Sequence, residues 1–296
     1  MAEHTKPLGL LFDIGGVCVS AWLSKAIKLP SAALLFNTNQ FVQVLSPFQA
    51  ILDYEISHKI TPGWVNFSIS RTAPNGSWHK LERGEINLDA KFFSGFTNDL
   101  RNPVLWEKFH EYLKLKRKQK SGSNNNNATD SSPIPPMPLV DGERLFWEMM
   151  RISRTPDPYI FPALKKLRES GQFVVAALSN TVAFPDGHEY NTDNSKIVSQ
   201  FDVFVSSAHT GLRKPDPRVY ELAIREMEAV AKRKGIDGIA ASDIVFLDDI
   251  GENLKGAKKV GLRTLKVNLG KSQDAVKELE AITGLRLTEN GGNVKL

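Results

Sequence analysis

Residues 244–267 read IVFLDDIGENLKGAKKVGLRTLKV. Four apolar residues, Ile244–Leu247, run into two carboxylates, Asp248 and Asp249. A helical pattern follows from Glu252 to Val260, and a second candidate strand, Arg263–Val267, closes the stretch. Apolar run, polar turn, amphipathic segment and second candidate strand together make the strand–helix–strand unit of a parallel sheet.

The same grammar extends upstream. Phe173–Leu178 (FVVAAL) and Val203–Val205 read as strands, and Ile160–Ser170 and Pro217–Lys232 as the helices beside them. One further strand, Leu8–Phe12, stands alone at the front and ends at Asp13. Residues 20–155 differ. They carry helical periodicity and aromatics, among them Phe41, Tyr54, Trp64, Trp78 and Trp106, with no clear strand–helix alternation. The expected fold class is α/β, with a Rossmann-like parallel sheet core built from residues 1–19 and 156–296. A largely helical domain, residues 20–155, is inserted after the first strand.

Length and composition fit that reading. A chain of 296 residues holds two domains, and 41% apolar residues supply a sizeable core. The lone cysteine, Cys18, excludes a disulfide scaffold and fits a reducing compartment such as the cytoplasm. It reads as packing rather than as a nucleophile, since no histidine partner is suggested nearby. The net charge of +5 and pI of about 9.1 are local in origin. Lys114, Lys116, Arg117, Lys118 and Lys120 fall within seven residues and read as a solvated basic linker, not a nucleic-acid surface. They run into Ser121–Pro138 (SGSNNNNATDSSPIPPMP), so residues 114–138 are expected to form a disordered surface insertion. The opening MAEHTKPLGLLFD does not read as a secretory signal, and no segment approaches the roughly 18 apolar residues of a membrane span. The terminal Val294-Lys295-Leu296 is similar to a peroxisomal Ser-Lys-Leu signal, with Val294 in place of the small first residue.

Four polar clusters sit where strands end or helices begin. Asp13 in FDIGGV is either an acidic turn or a carboxylate on a backbone that a ligand approaches closely. Ser179-Asn180-Thr181 is either a helix N-cap or a cradle for phosphoryl oxygens. Lys214 in GLRKPDP is either an exposed lysine or an ammonium presented by a proline-restricted turn. Asp248-Asp249 is either an N-cap beside a solvated neighbour or half of a Mg2+ site, which favours hard oxygen ligands.

Taken in order, Asp, Ser-Asn, Lys-Pro and Asp-Asp on a strand–helix chain closely resemble the motif series of the haloacid dehalogenase (HAD) superfamily. The resemblance covers nearly the whole chain outside Lys114–Pro138. SPFQAILDYE, GWVNFSIS, WHKLERGEI and GLRKPDPRVYELA look like the N-terminal phosphatase-like domain of soluble epoxide hydrolases. They are also similar to the corresponding domain fused to some acyl-CoA dehydrogenases. No G-x-S-x-G elbow follows, so epoxide hydrolysis is not expected.

The resemblance implies that residues 20–155 form a helical cap and that Asp13 is a nucleophile carrying an aspartyl-phosphate intermediate. It implies Mg2+ as cofactor, held by Asp13, the Gly15 carbonyl, Asp248 and Asp249. Ser179, the backbone around Asn180, and Lys214 would bind the phosphoryl group of a small phosphate ester. One position departs from the pattern. Where phosphatases of this superfamily carry a second Asp as general acid and base, this chain has Gly15. Proton delivery of that kind is worth about 10²–10⁴-fold. Three outcomes follow: a substrate with a good leaving group, a proton donor from the cap (His79, Glu82 or Glu85), or a weakly active binding protein. Gly15 in place of an aromatic, together with the Asp248-Asp249 pair, argues against a metal-independent dehalogenase. Trp64, Asn66, Trp78 and Arg83 lie in distinctive cap segments, either as cap core or as substrate contacts.

Overall fold

The computed structural model describes residues 6–18, 21–22, 44–45, 47–120, 133–152, 156–190, 195–236 and 238–288. Phe41, residues 121–132 and the terminal Val294-Lys295-Leu296 lie outside the described residues.

Among the described residues the strands are β1 (Gly9–Phe12), β2 (Ala21–Trp22), β3 (Val44–Leu45), β4 (Val174–Ser179), β5 (Val203–Ser206), β6 (Ile244–Asp248) and β7 (Arg263–Lys266). The helices before β4 are α1 (Pro47–Ser57), α2 (Trp64–Thr72), α3 (Ser77–Glu82), α4 (Ala90–Leu100), α5 (Pro103–Lys120), α6 (Gly142–Ile152) and α7 (Ile160–Glu169). After β4 come α8 (Ser195–Val198), α9 (Ser207–Thr210), α10 (Pro217–Arg233), α11 (Gly251–Lys259) and α12 (Ser272–Thr283).

Five strands form one parallel sheet in the order β5-β4-β1-β6-β7. The front strand is therefore the central one, and the order of strands reverses beside it. Open α/β sheets place their sites at such a reversal, outside the carboxyl ends of the strands. Register makes this concrete: Phe12 lies opposite both Ala177 and Leu247, so the next residue, Asp13, emerges between β4 and β6.

Both sheet faces are covered, which is why the strands read as unbroken apolar runs rather than alternating ones. Leu10, Phe12, Val175, Ala177 and Leu247 face one core with Leu164 of α7 and Leu279 of α12. Leu11, Val174, Ala176, Leu178 and Phe246 face the other with Met227 of α10 and Ala257 of α11. Helix α12 was not anticipated from the sequence, although Ala275, Val276, Leu279 and Thr283 bury one face at helical spacing.

By contacts the chain divides into two compact units. One comprises Met1–Pro47, Glu82–Glu85 and Met150–Leu296, and carries the sheet. The other comprises Phe48–Leu81 and Ile86–Met149, and is helical. The expectation of a helical stretch beginning at residue 20 misses the short antiparallel ribbon of β2 and β3, which belongs to the first unit.

A second correction concerns the basic run. Lys114–Lys120 is not loop but the end of α5, which continues unbroken through Lys120. Lysine and arginine are good helix formers, and local propensity outweighs the like-charge repulsion here. Downstream, Pro135 in the expected insertion accepts a 2.8 Å hydrogen bond from Nε1 of the buried Trp106. Removing the whole of Lys114–Pro138 would therefore cut into that packing.

The core of the helical unit is aromatic. Trp64 meets Trp106 edge-on at 5.0 Å, and Trp78 packs on Phe96 and Phe146. Among the described residues no helix is long and apolar enough to cross a membrane.

Candidate active site

Asp13 sits one residue beyond β1, its N–H bonded to the Leu247 carbonyl at 2.8 Å, so the β ladder itself holds it at the sheet rim. Its Oδ1 accepts the Ile14 N–H at 2.7 Å and lies 2.7 Å from Lys214 Nζ. No hydrogen bond or ion pair among the described residues falls on Oδ2.

Lys214 is buried, with no side-chain exposure. Its ammonium also reaches Asp248 Oδ2 at 2.8 Å and lies 5.4 Å from the centre of the Phe246 ring. Burial opposes its charge, but Asp13 and Asp248 outweigh burial and raise its pKa above the ordinary lysine value. Of the two alternatives for Lys214, the exposed lysine is thereby excluded.

Asn180 explains how the lysine is aimed. Its Oδ1 accepts the Lys214 N–H at 2.9 Å and its Nδ2 donates to the Lys214 carbonyl at 3.1 Å. The side chain of Asn180 thus clasps the lysine backbone, while Ser179, buried at the end of β4, lies at the rim beside it. The helix-cap alternative for Ser179-Asn180-Thr181 does not hold, because residues 180–188, which follow β4, are not helical.

The two adjacent aspartates have different surroundings. Asp248 is fully buried and its oxygens are occupied. Oδ1 accepts the Ile250 N–H at 2.7 Å, Oδ2 takes Lys214, and Asn253 Nδ2 reaches both, at 3.1 and 3.0 Å. Asn253 is in turn fixed at its carbonyl by the buried Tyr220 hydroxyl at 2.8 Å. Asp249 has no such support: its Oδ1 is buried without a hydrogen-bond partner. Its carboxylate comes so close to the first loop that a Cβ on Gly16, at φ +76°, would lie 2.6 Å from Oδ2. That approach requires glycine at position 16.

Carboxylate oxygens of Asp13, Asp248 and Asp249 all lie within 4.8 Å of one another. Burial raises the pKa of Asp13 to about 7, partly offset by Lys214, with Asp248 pushing it further up. Burial, then Asp13 and Asp248, raise Asp249 to about 8. Three carboxylates and one ammonium leave two negative charges uncompensated when all are ionised. A divalent cation would balance them, and the orphaned Asp249 oxygen is a hard donor with nothing else to bind. The residues therefore fit a Mg2+ ion, with Asp249 and Asp13 as the available carboxylates and Asp248 already committed to Lys214 and Asn253.

Gly15 is half-buried, and a Cβ added there would meet nothing within 4 Å. The space for a side chain exists and the side chain does not. The suggested substitutes for the missing acid fare poorly. Glu82 lies 2.7 Å from Arg213 and Glu85 2.6 Å from Arg83, so each carboxylate is already engaged by a guanidinium. His79 is a buried residue of the helical unit, as is Trp64, whose Nε1 donates to the Leu100 carbonyl. Asn66 is half-buried there. Burial pushes the Cys18 thiol well above its usual range, so it stays protonated and acts as core packing.

An open parallel sheet with one lysine set among three carboxylates at its strand ends defines an α/β enzyme whose polar site lies on the carboxyl rim. The chain belongs to the haloacid dehalogenase-like hydrolase family, whose model matches residues 10–261. It is 26% identical over 256 residues to acyl-CoA dehydrogenase family member 10 of Mus musculus, covering 86% of this chain and 19% of that protein. It is 33% identical over 89 residues to bifunctional epoxide hydrolase 2 of Sus scrofa, covering 30% of this chain and 14% of that protein. A glyceraldehyde 3-phosphate phosphatase of Methanopyrus kandleri is 27% identical over 120 residues, 40% of this chain and 46% of that one. The matched part is less than half the length of each relative.

Proposed function

We propose that this hydrolase is a Mg2+-dependent phosphatase of small phosphate esters, acting through an aspartyl-phosphate on Asp13. The observation that carries the reading is the buried Asp13–Lys214–Asp248 chain beside an Asp249 oxygen that lacks a partner. Similarity to a phosphatase over part of the chain is consistent with it.

In this reading Oδ2 of Asp13 attacks phosphorus in line with the ester oxygen, and the P–O bond to the leaving alcohol breaks. Lys214 holds Asp13 Oδ1 and neutralises charge on the nucleophile and the phosphoryl group. Asn180 fixes the lysine backbone, Ser179 and the neighbouring backbone receive phosphoryl oxygens, and Asp248 with Asn253 orients Lys214. Mg2+, when bound by Asp13, Asp249 and the Gly15 carbonyl, would neutralise developing negative charge on the phosphoryl oxygens. Water then hydrolyses the aspartyl-phosphate and regenerates Asp13.

The leaving oxygen must still gain a proton, and position 15 offers none. Substrates whose leaving group departs without an acid, such as acyl phosphates or sugar 1-phosphates, therefore fit best. Gly15 equally supports a second reading, in which the protein captures phosphorylated ligands and turns them over slowly. Rates on a broad panel of phosphate esters, with Mg2+ or EDTA, test the proposal. Activity that needs Mg2+ and is lost in Asp13→Asn is the expected result; equal rates for wild type and variant would sink it. A halide-release assay without metal tests the dehalogenase alternative separately.

A further inference from the structure

Lys214 is approached from two sides. Asn180 clasps its backbone on one. On the other, the preceding residue, Arg213, extends its Nη2 to Glu82 Oε2 at 2.7 Å. Glu82 opens a four-residue segment, Glu82–Glu85, that groups with the sheet unit although the chain on both sides of it groups with the helical one. The next turn of this segment is in tight contact with the stretch that leads to Lys214. Gly84, at φ +66°, lies so near α9 that a Cβ there would sit 2.4 Å from the Ala208 carbonyl oxygen. The Arg83 carbonyl lies 4.0 Å from where a Cβ on Gly211 would be.

Glu82 is buried, with 9% of its side chain exposed, and Arg213 is one-quarter exposed. A buried ion pair of this kind is a poor source of net stability, because desolvating two charges offsets much of their attraction. Two charges so placed specify geometry better than they stabilise a fold. The residue they locate is the one before Lys214, whose ammonium must stay within hydrogen-bond reach of both Asp13 and Asp248.

We infer that Glu82 is a positioning residue for Lys214: through its ion pair with Arg213 it holds the loop that presents the lysine ammonium to Asp13 and Asp248. The inference deepens the phosphatase reading and rests on it for its kinetic consequence. A displacement of about 1 Å in a catalytic group costs on the order of 10²-fold in rate.

The variants that test it are Glu82→Gln, Glu82→Asp, Arg213→Gln and the exchanged pair Glu82→Arg with Arg213→Glu. Glu82→Gln and Arg213→Gln are each expected to lower kcat about 10- to 100-fold, with KM changed about twofold or less. Glu82→Asp and the exchanged pair should recover most of that loss. An unchanged kcat in Glu82→Gln, or a loss that neither rescue restores, overturns the inference while leaving a phosphatase in place.

A second measurement does not depend on turnover. In the metal-free full-length protein, melting temperatures of Glu82→Gln, Lys214→Met and the double variant form a cycle. Coupling through Arg213 predicts that the two shifts do not add; additive shifts overturn the inference whether or not any phosphate is hydrolysed. A wild type inactive on every phosphate, with non-additive shifts, would instead reject the phosphatase reading and retain the positioning role.

Discussion

Both units of the molecule bury carboxylates, and the two sets are handled in opposite ways. In the helical unit Glu55 is almost wholly buried, and its two oxygens accept the N–H groups of Gly63 and Val65 at 2.7 and 2.8 Å. It closes the start of α2, a common task for an acidic side chain at a helix N-terminus. In the sheet unit Asp13 and Asp249 face each other and Asp248, with one lysine among them, and Asp13 Oδ2 and Asp249 Oδ1 have no hydrogen bond among the described residues. Burial raises the pKa of Glu55 as it does those of Asp13 and Asp249, so a raised pKa does not separate architecture from chemistry. The partners do. A carboxylate with both oxygens answered by backbone donors, like Glu55, is part of the scaffold, whereas Asp13 and Asp249 face other carboxylates and are arranged for a ligand.

That contrast can be broken most sharply at its two ends. Asp13→Asn is expected to lower phosphatase activity by about 10³-fold or more, the scale on which loss of a nucleophile is felt. Its metal-free melting temperature should hold or rise, because a repelling carboxylate is gone. A calorimetric scan showing marked destabilisation would place Asp13 with the scaffold instead.

Next in size is Gly15→Asp. Nothing lies within 4 Å of the new Cβ, so a side chain can leave the backbone there without a clash. Restoring a general acid should raise kcat about 10²-fold on alkyl phosphates and little on acyl phosphates. Equal effects on both leaving-group classes would show that proton delivery does not limit this enzyme.

Glu55→Ala should do the reverse of Asp13→Asn. Two backbone donors lose their acceptor, at about 2 kcal/mol, or a melting temperature lower by about 8–16 °C for a unit of this size. Activity per folded molecule should be retained. A loss of turnover without loss of stability would merge the two classes of buried carboxylate.

The smallest effect is a pH dependence. A folded pKa near 7 or 8 lies above the unfolded carboxylate value of about 4, so the folded chain holds protons that the unfolded chain has released. Between those limits each rise in pH therefore weakens the fold. The metal-free protein should melt a few degrees lower at pH 8 than at pH 5, and saturating Mg2+ should remove much of that slope. Asp249→Asn should flatten the metal-free curve; an identical slope in the variant would mean that the cluster is not its source.

Much of the site is legible in the sequence. The strand ends at Asp13, Ser179 and Asp248 were readable because both faces of a parallel sheet are buried, leaving short apolar runs that stop at polar residues. The charge density of the basic run points to a linker, yet helix propensity carries α5 through it. Asn180 is legible as a polar residue at a strand end, but the engagement of its side chain by Lys214 depends on a contact across 34 residues. The pairing of Arg213 with Glu82 had no local signal at all. It depends on the chain bringing two distant segments together.

What the sequence alone determined is the order of the chemistry: a carboxylate after the first strand, a lysine before a proline, and a carboxylate pair after a later strand. That order follows from local rules, since apolar runs and turns are properties of neighbouring residues. Asp248 and Asp249, however, are the same residue type side by side, and no local rule tells them apart. Only the tertiary structure gives one of them Lys214, Asn253 and the Ile250 N–H, and leaves the other with an oxygen that nothing answers. The reason is physical. Successive side chains at a strand end point in different directions, and what each one meets is set by elements far away in the chain.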